Sequence, residues 1–106
     1  MALHHAAPGE KVHLGSLSDA AHAKTAALVK TEAFEAAQLF LRAGDAIASH
    51  SVPGYAILHC IEGDLTVHAT TEIRLGAGDW VFLERGEQHS LSVLQDSSLL
   101  PTILFE

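Results

Sequence analysis

The sequence predicts a single all-β domain, an antiparallel barrel or sandwich. Two observations carry that reading. From Gly44 to the C-terminus, short apolar or alternating segments recur, and glycine or polar clusters separate them, which is the rhythm of closely spaced strands. The chain of 106 residues, 48% hydrophobic and 18% charged, is long enough for one core and too short for two.

The elements can be taken in chain order. Residues 1–24 are rich in Ala, Gly and Ser, with "PGEKVHLGSLSD" offering turn signals and one brief extended piece, "VHL". They read as an arm packed over the domain that begins at residue 25 and runs to 106. The segment "TAALVKTEAFEAAQLFLRA" (25–43) has two readings. Its Ala, Glu, Leu and Gln favour a helix on propensity, whereas "ALVKTE" and "EAAQLFL" make two strands leading into a Gly-Asp turn. Strands are favoured, because the chain beyond Gly44 is β and tertiary context overrides alanine-rich propensity. Then "YAILHCI" is an apolar run, "EGD" a hairpin signal, and "LTVHAT" its return strand. "TEIRLGAGD", "WVFLERGEQ" and "HSLSVL" continue the pattern. After a "QDSS" turn comes "LLPTILF", where Pro101 implies an edge strand or a strand start.

Bulk properties exclude several function classes. A formal charge of −7 with six scattered Lys and Arg leaves no basic patch for nucleic acid or an anionic membrane. No apolar run reaches the ~18 residues of a membrane span. "MALHHAAPGEKVHLG" lacks the cationic and apolar regions of a signal peptide. The single cysteine, Cys60, forms no internal disulfide, so a cytoplasmic location is expected. Sheet edges and a loosely patterned arm point to a homodimer.

Eight histidines raise the question of a metal. Among them His89 opens an alternating run just past a glycine turn, in "GDWVFLERGEQH", and His50 precedes "SVPG". This region resembles the cupin superfamily of small antiparallel β-barrels, over roughly residues 25–105. The family's second motif matches at Gly78, Gly86 and His89, with Glu84 where it has proline and Val93 at its closing asparagine. The first motif keeps Gly44, His50 and Gly63 but has Val52 and Ala56 at its second histidine and its glutamate. "HSVPG" followed by "CIEG" is similar to small single-domain cupins. The resemblance implies a single jelly-roll-like barrel with His50 and His89 as two surviving ligand positions for a divalent ion (iron, zinc, manganese or nickel).

Strand alternation then sorts the neighbours. If His50 faces inward so does Val52, and the motif places Ala56, Leu58 and Cys60 inward too. On the last strands His89, Leu91 and Val93 share one face. The expected site is thus an apolar pocket of Val52, Ala56, Leu58, Cys60, Leu91 and Val93 carrying His50 and His89. A third metal ligand is harder to place. Cys60 lies about 13 Å beyond Ala56 along an extended strand, His59 serves only if a bulge flips it, and the face of His68 is open. Plain structural roles compete: His89 bonding a loop carbonyl, His50 capping a turn, Cys60 as a small buried hydrophobe.

Three functions are consistent with this pattern. One is a pocket binding a small apolar or aromatic molecule. Another is a metal-dependent oxygenase or isomerase using His50 and His89. The third is a dimeric structural module without ligand.

Overall fold

A computed structural model describes residues 5–19 and 25–105, and it is almost entirely antiparallel β-sheet. Seven strands come after a single 3-10 turn at Leu17–Asp19. They are β1 (Ala26–Lys30), β2 (Phe34–Leu41), β3 (Ala46–His50), β4 (Tyr55–His68), β5 (Glu72–Gly76), β6 (Trp80–Leu83) and β7 (His89–Leu104). His4 and His22 lie outside the described residues.

The 25–43 segment forms the β1–β2 hairpin, in line with the strand reading. Thr31 explains why helix propensity loses. Its Oγ1 accepts the N–H groups of Ala33 (3.1 Å) and Phe34 (3.0 Å), a local side-chain turn that competes with helical pairing. Leu39 and Leu41 then pack against the core while Gln38 points to the opposite face.

β4 and β7 organise everything else. They pair with each other along nearly their whole length, fourteen and sixteen residues respectively. β6 pairs with the first half of β4, and β2 with the second half of β7. β5 pairs with the second half of β4, and β3 with the first half of β7. Two layers therefore share the same two strands, one ordered β1-β2-β7-β4-β6 and the other β3-β7-β4-β5. A bend at the middle of β4 and β7 folds one layer over the other, the device by which strands change sheets.

That bend corrects two expectations. The stretches at 62–64 and 95–98 are not turns: the chain stays in strand through both, and the β4–β7 register slips there instead. Gly63 holds φ +108°, and a methyl on its Cα would overlap Ser97 Oγ and lie 2.5 Å from Ser97 Cα. The irregularity also inverts the alternation of β4. Ala56, Leu58 and Cys60 are buried before it, and Leu65 and Val67 after it. These five, with Leu75, Leu83, Leu91 and Leu99, form one core between the layers.

Pro101 is likewise not on an edge strand. It sits within β7, between β2 and β4, opposite Leu58. The β2–β7 pairing skips Ala37 and Gln38 with the register unchanged on either side, so the missing N–H falls in a gap of the ladder.

The arm is tied to the outer face of the first layer. Gln38, buried, donates from Nε2 to Gly15 O (2.9 Å) and Ser98 Oγ (3.0 Å), and Glu62 Oε1 accepts Leu17 N–H at 2.9 Å. Ala6 N–H reaches Leu28 O at 2.7 Å.

Gly63→Ala tests the bend. It combines a left-handed φ with overlap against β7 backbone, so a loss of about 3 kcal/mol or more is expected in urea unfolding. A loss under about 1 kcal/mol, the ordinary cost of replacing glycine where space allows, would show that the close approach does not matter.

Candidate functional site

His50 and His89 are cross-strand neighbours, paired in register between β3 and β7. Their ring centroids are 4.4 Å apart with the planes tilted by 54°. His89 is buried at 4% exposure, whereas His50 is exposed, so one ring lies inside and the other at the mouth.

Both rings line a cavity of about 280 Å³ between the layers. Val52, Ala56, Leu58 and Leu91 line it too, as alternation implied. Cys60 and Val93 do not. Both are buried but stand outside its lining. The rest of the wall comes from Leu39 on β2, Ile47 on β3, and Leu99, Pro101 and Ile103 on β7. These last three keep the same alternation as His89 and Leu91. The apparent turn at 95–98 hid that continuity.

The same local geometry fixes each imidazole. His50 Nδ1 lies 3.0 Å from Ala48 O, and His89 Nδ1 lies 3.0 Å from Glu87 O. A carbonyl only accepts, so each Nδ1 carries a proton, and in the neutral form of such a ring Nε2 is a lone-pair acceptor. Neither Nε2 has a hydrogen-bond partner among the described residues. The plain structural role open to each ring, a bond to a carbonyl, thus accounts for one nitrogen of each and leaves the other for a ligand.

Glu87 supports His89, and nothing in the sequence motif marks it. Its carboxylate accepts Thr70 N–H at 2.9 Å and Glu84 N–H at 2.9 Å, which fixes the loop whose carbonyl orients the ring. The hydrogen bonds from Thr70, then that from Glu84, hold the carboxyl below its ordinary value of 4.5. Ser49 Oγ donates to Gln88 Oε1 at 3.0 Å and ties the His50 strand to the same loop.

His68 and His59 stand apart from the pair. His68 faces outward after the inversion in β4, with Nε2 2.9 Å from Ser92 Oγ and Nδ1 3.0 Å from Glu72 Oε1. His59 lies between Trp80 and Leu100 on the outer face. Burial raises the Cys60 pKa, and Asp79 and Asp64 add to it, so the thiol stays protonated and is a poor nucleophile or ligand. Glu62 and Asp64 serve structure: Glu62 holds the arm, and Asp64 takes two bonds from Arg74, at 2.9 and 2.5 Å.

The donor set does not fit a divalent ion held by this chain. Two imidazoles line the cavity, and Val52 and Ala56 bring only methyl groups to it. Among the described residues no group of three His, Cys, Asp or Glu is placed to hold an ion, one short of a usual protein-held site.

No family model and no curated protein matches the sequence. Solved structures do. A conserved protein of unknown function from Streptococcus pyogenes superposes with TM-score 0.73 at 20% identity, over 77% of this chain and 73% of the other. A cupin superfamily protein from Desulfitobacterium hafniense gives TM-score 0.73 at 13% identity, over 77% and 76%. KdgF from a Halomonas species gives 0.70 at 18% identity, over 77% of each. The fold is therefore that of the cupin barrels. Identities at this level establish architecture and no activity.

The Glu87 linkage predicts an acid-sensitive component of stability. Because the folded carboxyl is held below 4.5, its contribution is present above that value and is lost as pH falls through the lowered one. In acid titrations of wild type and Glu87→Gln, the stability gap should close as pH drops below 4.5. A gap that is constant with pH would contradict the assignment.

Proposed function

We propose that this protein binds a small molecule in the barrel pocket, without a resident metal. An apolar body occupies the cavity, and a group that donates hydrogen bonds meets His50 and His89. The observation that carries this reading is the pairing of two imidazoles whose Nδ1 atoms are engaged by the main chain while both Nε2 atoms are not. Two neighbouring acceptors inside an apolar wall favour hydroxyl, phenol or enol ligands, or an acid that gives up its proton to the pair. A volume of about 280 Å³ restricts the body to roughly one ring or a short aliphatic chain.

Any iron, zinc, manganese or nickel supplied would have two protein ligands, so it should be held weakly and lost to chelator. No catalytic step is assigned to the pair. A cytoplasmic location accompanies the reading, supported by the lone reduced thiol.

The test uses untagged protein and a set of small phenols, alcohols and carboxylic acids, with binding read by NMR. Binders should shift the methyls of Leu39, Leu58 and Leu99 together with both imidazoles. His89→Ala should weaken binding at least about tenfold, roughly the worth of one hydrogen bond in a dry site. It should leave the fold intact, costing about 1 kcal/mol. Binding unaffected by His89→Ala, or stoichiometric metal surviving chelator, would overturn the reading.

A further inference from the structure

The outer face of the second layer carries a polar cluster that is separate from the pocket. Leu65, Val67, Leu75, Leu91 and Val93 are buried, so the residues that alternate with them on β4, β5 and β7 face outward. Cross-strand pairing sets these in two rows. Ser92, Thr66 and Arg74 form one, and Ser90, His68 and Glu72 form the other. His68 links the rows. Its Nε2 lies 2.9 Å from Ser92 Oγ on the diagonal, and its Nδ1 lies 3.0 Å from Glu72 Oε1, directly across the β4–β5 ladder.

We propose that Ser92 is a nucleophile, with His68 as its base and Glu72 as the positioning carboxylate, and that the three hydrolyse small aryl esters. A carboxylate beside Nδ1 favours the tautomer with the proton on that nitrogen, so in the neutral ring Nε2 accepts the Ser92 hydroxyl proton. That is the order of roles by which a serine is activated for acyl transfer. Arg74, the cation in the neighbouring row, is bound by Asp64 and leaves the Glu72 carboxylate to His68. The His68 side chain is 39% exposed, so an ester reaches Ser92 Oγ from solvent. Thr66 is the direct cross-strand partner of Ser92, and its hydroxyl, bonded to no described side chain, is a donor available to the oxyanion. The face is open, with Glu72 72% exposed, and it supplies little binding energy. The leaving group must therefore be a good one, which selects aryl esters.

In the first step Ser92 Oγ bonds to the ester carbonyl carbon while its proton passes to His68 Nε2. The bond from that carbon to the aryl oxygen breaks, and the aryl oxide takes the proton from Nε2 and departs as the phenol. Water then attacks the acyl carbon and gives its proton to Nε2. The bond to Oγ breaks, Oγ recovers a proton from Nε2, and a carboxylic acid leaves.

A fluorophosphonate reads the first step alone, because Oγ displaces fluoride from phosphorus and stays phosphonylated. The folded full chain should be labelled at Ser92, by peptide mapping, and the chain unfolded in urea should not. Ser92→Ala and His68→Ala should each lower labelling at least about tenfold, below the full worth of general-base catalysis because the site is open. Both should stay folded by circular dichroism, since neither side chain belongs to the core. Ser90→Ala, on the same face opposite His68, should label like wild type. Glu72→Gln keeps the shape and removes the charge, so a merely structural contact would survive it. Here kcat for an aryl acetate should fall about threefold or more with KM unchanged. A label on another residue, or none at Ser92, would overturn the proposal. So would labelling indifferent to His68→Ala, or full kcat in Glu72→Gln.

Discussion

The pairing of β4 with β7, bent at Gly63 and Ser97, is the constraint on which the rest of the structure depends. Both strands are too long to remain in one flat layer, and the close approach that only glycine permits lets them change layers together. The inversion of alternation in β4 is a direct consequence. It sends Leu65 and Val67 into the same core as Leu58 and Cys60, and it turns His68 away from the cavity. The two ends of β7 then wall the pocket from both sides, with His89 and Leu91 from one layer and Leu99, Pro101 and Ile103 from the other.

On that scaffold the two histidines acquire their character from very local causes. Each ring reaches back to a carbonyl two residues earlier in the chain, which removes one nitrogen from ligand chemistry and aligns the other. In metal sites the same arrangement prepares an imidazole to ligate. Here the preparation is present twice, but Val52 and Ala56 supply no further donors, so the pair stands as two acceptors in an apolar wall. The loop before His89 is braced by the Glu87 carboxylate, and the strand before His50 is braced through Ser49 and Gln88.

Much of this is legible in the sequence, for reasons that also explain the failures. The β1 and β2 strands can be read against their own helix propensity because the surrounding pattern is β. His50, Val52, Ala56, Leu58, His89 and Leu91 can be grouped because alternation carries information along an uninterrupted strand. Alternation fails where a strand is irregular. A Glu-Gly-Asp run reads as a hairpin turn by composition, yet the same glycine here serves a close backbone approach in mid-strand. Taking 95–98 for a turn likewise severs Leu99, Pro101 and Ile103 from the face they share with His89. Cys60 and Val93 lie on the predicted face but outside the cavity, since parity says which way a side chain points and not how far the cavity extends. Glu87 acts through backbone N–H groups of Thr70 and Glu84, a contact that no spacing rule encodes.

The most direct measurement is the tautomeric state of the two imidazoles, read from long-range proton–nitrogen correlation spectra of the neutral rings. The account predicts that His50 and His89 both carry their proton on Nδ1, with unprotonated Nε2 atoms whose resonances move together when one small binder is added. A proton on Nε2 of either ring, or a binder that moves one ring without the other, would contradict a shared two-acceptor pocket.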